Sequence, residues 1–208
     1  MTVLAQEELE KRLFGAEFRE EPDEQLIITP LLDRGNQIGN SSIDVRLGNA
    51  FIIIKQSNLS CINPALGVEI EEKIGQYQEY VHVSFGDEFV IHPQQLILGC
   101  TLEYVGLPQT LTAQVLGRSS WGRLGLFIAT ATAVAPGFKG VITLELINAG
   151  QVPIVLYPGV VIAQLVIEKT SSKTKYEGRY DFPTSPQFSR IYKDEDIVWW
   201  SNRENFNV

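Results

Sequence analysis

Short runs of alternating apolar and polar residues dominate the chain from residue 43 onward. The runs are rich in β-branched and aromatic residues, and Gly, Pro or Asn residues separate nearly all of them. Such alternation is typical of strands with one buried face, so the pattern predicts a mainly β fold of the sandwich, barrel or jelly-roll type rather than βαβ units. The predicted strands cover residues 43–55, 77–85, 88–92, 95–104, 112–116, 127–134, 141–148, 152–156 and 160–168.

The N-terminal segment shows a different pattern. Residues 3–14 carry apolar side chains at helical spacing with acidic residues between them, which predicts a short amphipathic helix, and Thr2 is a candidate N-cap. We find no other convincing helix signal of comparable length in the sequence.

The C-terminal residues 169–208 are too polar to form a separate core, yet they are too rich in Tyr, Phe and Trp to be simply disordered. We therefore expect one domain over residues 1–208. We expect the C-terminal tail 169–208 either to close over a site on the β core of the same chain or to pack on a neighbouring subunit.

The composition narrows the classes of function. The 208 residues are 44% apolar and 20% charged, which excludes a disordered or fibrous chain. The net charge of −8 and the pI near 4.8 disfavour binding to a nucleic-acid polymer. A small anionic ligand remains compatible with this charge, because it needs only a few converging basic groups.

The sequence also predicts where the protein acts. The longest apolar stretch, 153–167, is interrupted by Pro158 and Gly159, so no run reaches the ~20 apolar residues of a membrane span. The segment 1–14 is charged and lacks the apolar centre of a signal peptide. We therefore expect a cytoplasmic protein without a membrane partner.

Cysteine and histidine usage indicates the absence of zinc chemistry. Cys61 and Cys100 form no C-x-x-C pattern, and we expect both to be small buried residues rather than a disulfide. Neither His82 nor His92 is followed by the Glu of the H-x-E motif of zinc deaminases.

The segment 117–150 carries the candidate chemistry. One predicted helical turn lies here, with two arginines and two serines at or near it: Arg118, Ser119, Ser120 and Arg123. Two guanidinium groups, two hydroxyls and the start of a helix can together bind an anion. The alternative interpretation is that the arginines are surface salt-bridge partners and the serines an ordinary helix cap.

Glu145 stands on the polar face of the predicted strand 141–148. Such a carboxylate is commonly just solvated. If that face instead lined a closed pocket, desolvation would raise the pKa of Glu145 and make it a proton shuttle. The pattern leaves both interpretations open.

Several sequence blocks in matching order resemble the dCTP deaminases, which belong to the superfamily of trimeric dUTPases. The resemblance covers residues 2–195, and its R-S-S-x-x-R and T-L-E-L motifs are specific in combination. The blocks are SSIDVRLG at 41–48, GRSSWGRLGL at 117–126, PGFKGVITLEL at 136–146, NAG at 148–150 and PIVLYPGVVIAQL at 153–165.

The resemblance implies a distorted β-barrel or jelly-roll subunit of the dUTPase-like type, in a homotrimer with its sites at subunit boundaries. It implies hydrolysis of the amine of dCTP to give dUTP and ammonia, with Mg²⁺ bound through the nucleotide phosphates and no zinc. Glu145 matches the general acid/base of the family.

The remaining site residues are carried over from the same motifs. Ser119 matches the serine that holds the attacking water, and Arg118, Ser120 and Arg123 match phosphate-binding or site-organising positions. The other matches are the Ala131 carbonyl, the backbones of Thr143 and Leu144, and Lys175, Tyr176 and Arg179 of the tail motif.

The chain departs from the family pattern in residues 130–137. Where the family reads T-A-H-R-I-D-P-G, this chain has Thr132, Ala133 and Ala135, and the last replaces an Asp that contacts deoxyribose. In dUTPases a corresponding Asp activates the water that attacks the phosphate, so its loss argues against triphosphate hydrolysis of that type. The changes at Ala133 and Ala135 together leave open a family member that binds nucleotide without turnover. Relaxed sugar discrimination leaves open a deaminase of altered cytosine-nucleotide specificity.

Two further positions differ from the family. Arg179 replaces the Gln of the tail motif, and an Arg side chain cannot accept a hydrogen bond. Trp121 replaces an aliphatic residue, and we interpret it as a packing residue rather than a surface for base stacking.

Overall fold

The computed structural model describes residues 2–20, 22–55, 61–66, 68–129, 133–174, 176, 178, 180 and 182–202. Within these residues the chain forms thirteen strands and six α-helices. The strands are β1 (Thr2–Val3), β2 (Ile27–Thr29), β3 (Ile43–Arg46), β4 (Ala50–Ile54), β5 (Gln78–His82), β6 (Phe89–Ile91), β7 (Leu96–Gly106), β8 (Leu111–Gly117), β9 (Leu126–Ile128), β10 (Ala133–Val134), β11 (Lys139–Asn148), β12 (Ile154–Leu156) and β13 (Val161–Lys169). The helices are α1 (Gln6–Phe14), α2 (Ala16–Glu20), α3 (Arg34–Gln37), α4 (Val68–Tyr77), α5 (Ser119–Arg123) and α6 (Glu195–Ser201).

Two antiparallel sheets organise the fold. The first has the order β1-β13-β8-β10, with β3 also paired to β13. The second has the order β5-β4-β7-β11-β9, with β2 also paired to β7, and a two-stranded sheet joins β12 to β6. The described strands thus form separate sheets around one main core, and the predicted mainly β fold class is confirmed.

Alternation along the strands builds this core. In β11 the side chains of Ile142, Leu144 and Leu146 join the main buried cluster, while residues between them face the other way. Strand β13 contributes Ile162, Leu165 and Ile167 to the same cluster. Burial of such aliphatic side chains contributes about 1.5–3 kcal/mol each, which fixes the register of the strands that carry them.

The N-terminal helix begins later than predicted. Helix α1 starts at Gln6, and its N-cap is Ala5, which makes no side-chain capping bond. The prediction of Thr2 as N-cap is wrong, because Thr2 and Val3 pair with Lys169 and Glu168 at the edge of the first sheet. Sheet pairing thus satisfies the backbone that the sequence pattern assigned to a helix.

Two predicted strands are divided in the structure. The run 43–55 contains β3 and β4, which lie in different sheets. The chain changes sheet after β3, where the Gly48 amide donates to the Cys100 carbonyl at 2.7 Å. The predicted strand 127–134 likewise separates into β9 and β10, on either side of residues 130–132.

Other elements differ from the sequence predictions. Helix α4 was not predicted, and the strand expected from residue 77 begins at Gln78, where this helix ends. Cys100 is buried as expected, but Cys61 is exposed, so that prediction is wrong for Cys61. Burial raises the pKa of the Cys100 thiol to about 11. None of the described helices is long and apolar enough to cross a membrane.

Candidate active site

A cleft of about 460 Å³ lies on the second sheet. Strands β4, β5, β7, β10 and β11 supply its floor and sides, and Tyr176, Tyr180 and residues of the segment 183–189 form one wall. Its walls are mostly apolar, with Glu145 and Thr143 among a small number of polar groups. This combination is typical of small-molecule sites.

Glu145 is held in the cleft by strand β11. Its backbone pairs with Leu98 of β7, and its carbonyl accepts from the Ala129 amide at 2.8 Å. The neighbours Leu144 and Leu146 are fully buried on the other face. Because both neighbours are fixed in the core, the Glu145 side chain must face the cleft, and its Oε2 atom is buried. The carboxylate is therefore in a pocket rather than on an open solvated surface.

Thr143 lies on the same face as Glu145, two residues earlier. Its Oγ1 accepts a hydrogen bond from the Gln187 amide at 3.1 Å, which ties the C-terminal segment to the strand. Leu144 is 0% exposed and its side chain belongs to the core, so only its backbone is available for a ligand. The structure thus brings Thr143 and Glu145 into the cleft but leaves the Leu144 side chain outside it.

The C-terminal segment 182–190 packs directly on β11 and β5. The Val141 amide donates to the Pro183 carbonyl at 2.8 Å, and the Tyr80 hydroxyl donates to the Pro186 carbonyl at 2.9 Å. Gly140 has a φ of +151°, and a Cβ there would collide with the Pro183 ring. A glycine is therefore required at this point for the segment to reach the cleft.

Tyr176 forms part of the same wall. Its ring contacts Phe138 edge to face, with centroids 5.7 Å apart, and its hydroxyl donates to the Tyr180 carbonyl at 3.3 Å. Both aromatic residues line the cleft. Lys175 and Arg179, predicted from the same motif, lie outside the described residues.

The R-S-S segment lies outside this cleft. Helix α5 contains no buried residue, and Arg118, Ser119, Ser120 and Arg123 do not line the cleft. Arg118 pairs with Asp44 at 3.3 Å, and as the N-cap of α5 it makes no side-chain capping bond. Of the two arginines of the R-S-S segment, Arg118 therefore forms a salt bridge, as the alternative interpretation of the sequence proposed.

Trp121 in α5 is a packing residue, as the sequence analysis expected. Its ring packs partly buried against the main core, and its Nε1 donates to the Val161 carbonyl at 2.9 Å. The ring therefore anchors the short helix to β13.

Two of the positions at which the chain differs from the family pattern lie at the cleft. Ala133 and Ala135 both line it and are exposed, so these two positions present methyl groups there. Ala131, whose carbonyl was a predicted contact, lies outside the described residues. Sequence reasoning missed the polar wall residues Gln78 and Gln187, because neither belongs to a recognisable motif.

Comparison with known proteins identifies the family. A model of the family described as dCTP deaminase-like matches residues 13–170. The chain belongs to this family.

Individual relatives agree with this assignment. The chain is 40% identical to the dCTP deaminase of Natronomonas pharaonis over 89% of this chain and 97% of the relative. It is 42% identical to a protein of Halobacterium salinarum named "dCTP deaminase, dUMP-forming", over 84% of this chain and 91% of the relative.

A solved structure shares the fold. The 2'-deoxycytidine 5'-triphosphate deaminase from Agrobacterium tumefaciens superposes with a TM-score of 0.57 at 22% identity. The match covers 79% of this chain and 47% of the solved chain. It supports the β-sheet architecture described above.

Proposed function

We propose that the protein hydrolyses the cytosine amine of dCTP to give dUTP and ammonia, with Glu145 as general acid/base. The observation that carries the proposal is the Glu145 carboxylate, held by a central strand in a largely apolar cleft of about 460 Å³. Membership of the dCTP deaminase-like family supports the same reaction. Relatives at about 40% identity bear the name dCTP deaminase.

In this mechanism Glu145 moves protons within the cleft. Its carboxylate takes a proton from the attacking water and delivers it to the ring nitrogen, so that oxygen adds at C4. Glu145 then moves the proton of the new C4 hydroxyl to the amine. The carbon–nitrogen bond breaks as the C4 carbonyl forms, and the amine leaves as ammonia. The Oε2 atom of Glu145 is buried, and the walls around it are mostly apolar. These walls limit the competing waters at the carboxylate and so favour proton transfer to the substrate.

A neighbouring subunit is proposed to complete the site in a homotrimer. The described residues that line the cleft include Glu145 but no Lys or Arg, although a triphosphate needs cationic partners. The exposed α5 carries Arg123, and Arg118 is its N-cap residue. In this proposal Ser119 holds the water and Ser120 organises the phosphates. Leu124 and Phe127, just after α5, are 61% and 53% exposed, as expected of residues that another subunit covers.

The tail and the metal are proposed to act at the triphosphate. Lys175 and Arg179 supply charge there, while Tyr176 forms the adjoining wall. Mg²⁺ enters as part of the substrate, bound by phosphate oxygens, which are the hard donors it prefers. Among the described residues no cluster of three or more His, Cys, Asp or Glu side chains could hold a metal ion.

We propose dUTP, rather than dUMP, as the product. Some relatives are named dUMP-forming, but Ala135 stands where the family has the Asp expected to activate water for phosphate attack. The loss of the family's polar side chains at both Ala133 and Ala135 favours a second candidate, a family member that binds nucleotide without turnover. The cytoplasmic location stays a prediction of the N-terminal sequence.

Product analysis tests these proposals. The purified protein is incubated with dCTP, CTP, dCMP and dUTP in the presence of Mg²⁺, and products are separated by chromatography. We expect dUTP and ammonia from dCTP and no dUMP from dUTP. Binding of dCTP without ammonia release from any substrate would instead establish the non-catalytic alternative. Ammonia release from CTP or dCMP would establish a deaminase of altered specificity, and dUMP from dUTP would overturn the assignment of the product.

A further inference from the structure

The ladder between β7 and β11 is interrupted beside the proposed catalytic residue. Val141 pairs with Tyr104, but Thr143 pairs with Cys100. One residue of β11, Ile142, therefore faces the three residues 101–103 of β7. A β-bulge of this kind redirects side chains and is frequent next to active sites.

The Thr101 hydroxyl fills this irregularity. It accepts a hydrogen bond from the Ile142 amide at 3.0 Å and donates one to the Glu103 carbonyl at 2.7 Å. Thr101 is 1% exposed and Ile142 is 6% exposed, so water cannot easily replace either bond. A single side chain thus satisfies one backbone group on each side of the interrupted ladder.

The bulge is also anchored to the first sheet. The Glu103 side chain is fully buried, and its carboxyl accepts from the Arg46 amide at 2.8 Å and from Gln37 Nε2 at 2.7 Å. Burial raises the pKa of Glu103, with the hydrogen bonds to its carboxyl acting in the opposite direction. Because Arg46 ends strand β3, this contact connects the bulge to the opposite side of the core.

We propose that Thr101 is a positioning residue, which fixes the register of β11 and thereby places Glu145 in the cleft. This inference rests on the proposed function of Glu145. Without the irregularity, the pairing of Val141 with Tyr104 would continue and place Glu145 opposite Cys100 instead of Leu98. That is a shift of two residues, or roughly 7 Å along the strand.

The test compares substitutions that differ only in the hydroxyl group. Thr101→Val keeps the shape and removes both hydrogen bonds, whereas Thr101→Ser keeps them. Tyr157→Phe is the control, because it also removes a hydroxyl hydrogen bond, to Glu88 Oε1 at 2.7 Å, and Tyr157 lies outside the cleft. The pair Thr101→Ser and Thr101→Ala repeats the comparison if the valine variant does not fold.

We expect Thr101→Val to lower kcat by about 10- to 100-fold while KM changes by less than about twofold. Thr101→Ser is expected to retain most of kcat, and Tyr157→Phe to leave it unchanged. Backbone amide exchange in residues 139–148 should be faster in Thr101→Val only. A folded Thr101→Val variant with wild-type kcat and exchange would overturn the proposal.

A second readout separates this proposal from the proposed function. If the wild-type protein releases no ammonia from dCTP, the deaminase assignment fails. The exchange data then still decide whether the Thr101 hydroxyl fixes β11. Equal acceleration of exchange in Tyr157→Phe would show a general loss of stability and would overturn the positioning role.

Discussion

Strand β11 and helix α5 both carry proposed site residues, but they lie in opposite environments. β11 is paired on both sides, by β7 and β9, and its alternate side chains are in the core. Helix α5 is a single exposed turn with no buried residue. The carboxylate is therefore placed by the interior of one chain, whereas the arginines are placed on a surface that another chain can approach.

This difference indicates a division of labour. A general acid/base works best where competing water is limited, and the packed strand β11 holds Glu145 half-buried, with its Oε2 atom buried. Phosphate-binding arginines act through charge and multiple hydrogen bonds, and they can be contributed across a subunit boundary. The two segments should therefore respond differently to substitution.

The largest expected effect is on β11. Glu145→Gln retains the shape of the side chain but removes its ability to exchange protons, so kcat should fall by about 10²- to 10⁴-fold. Binding of dCTP, measured by calorimetry, should change little. Glu88→Gln is a suitable control, because Glu88 is exposed and bonds to Tyr157 outside the cleft. Undiminished ammonia release by Glu145→Gln would refute the assigned role.

The environment of Glu145 could be predicted only in part from the sequence. Alternation along 141–148 places Glu145 opposite the core face, and the structure agrees. Whether that face is solvated depends on the segment 182–190, which returns over β11 from a distant part of the chain. Such a long-range contact leaves no local periodicity, so the pattern alone could not decide.

The same limitation explains the errors in the fold. The run 43–55 contains a turn signal, Gly48-Asn49, between β3 and β4, but a local signal does not show that the second half joins the other sheet. Thr2 has a good side chain for a helix cap, but pairing with Lys169 takes precedence. By contrast, the strand at 160–168 was predicted almost to its ends, because its apolar residues face a single core.

The next effect, on α5, distinguishes a shared site from a site within one chain. Arg123→Ala should lower kcat/KM by about 10- to 100-fold, as expected for the loss of a charged hydrogen bond to phosphate. Co-expression of Arg123→Ala with Glu145→Gln should then restore activity. In randomly mixed trimers about a quarter of the shared sites would combine an intact Glu145 with an intact Arg123.

Mass measurement and subunit mixing provide the control for this experiment. Each variant alone should remain a trimer by light scattering. If the mixed protein is no more active than the sum of the two variants, then Glu145 and Arg123 do not meet across a boundary. A monomeric wild-type protein at working concentration would contradict the shared site directly.

The smallest expected effect concerns the base of the tail, where an ionic cluster holds the chain before it reaches the cleft. Lys173 pairs with Glu24, which also accepts from the Thr110 hydroxyl and lies 3.7 Å from Arg12. The hydrogen bonds from Lys173 and Thr110 hold the pKa of Glu24 below its ordinary value. Lys173→Met should therefore reduce the free energy of unfolding at neutral pH by about 0.2–1 kcal/mol.

The pH dependence of this effect has a defined sign. A carboxyl whose pKa is lowered on folding stabilises the protein above its ordinary value of 4.5, and this contribution is lost as the pH falls through the folded-state pKa. The difference in unfolding free energy between wild type and Lys173→Met, measured by urea unfolding, should thus be present at pH 7. It should shrink as the pH falls below 4.5, the ordinary pKa of the carboxyl. Lys55→Met breaks the pair with Glu79, whose side chains are 52% and 47% exposed, and should have a smaller effect. Equal effects of both variants at all pH values would show that the cluster does not anchor the tail.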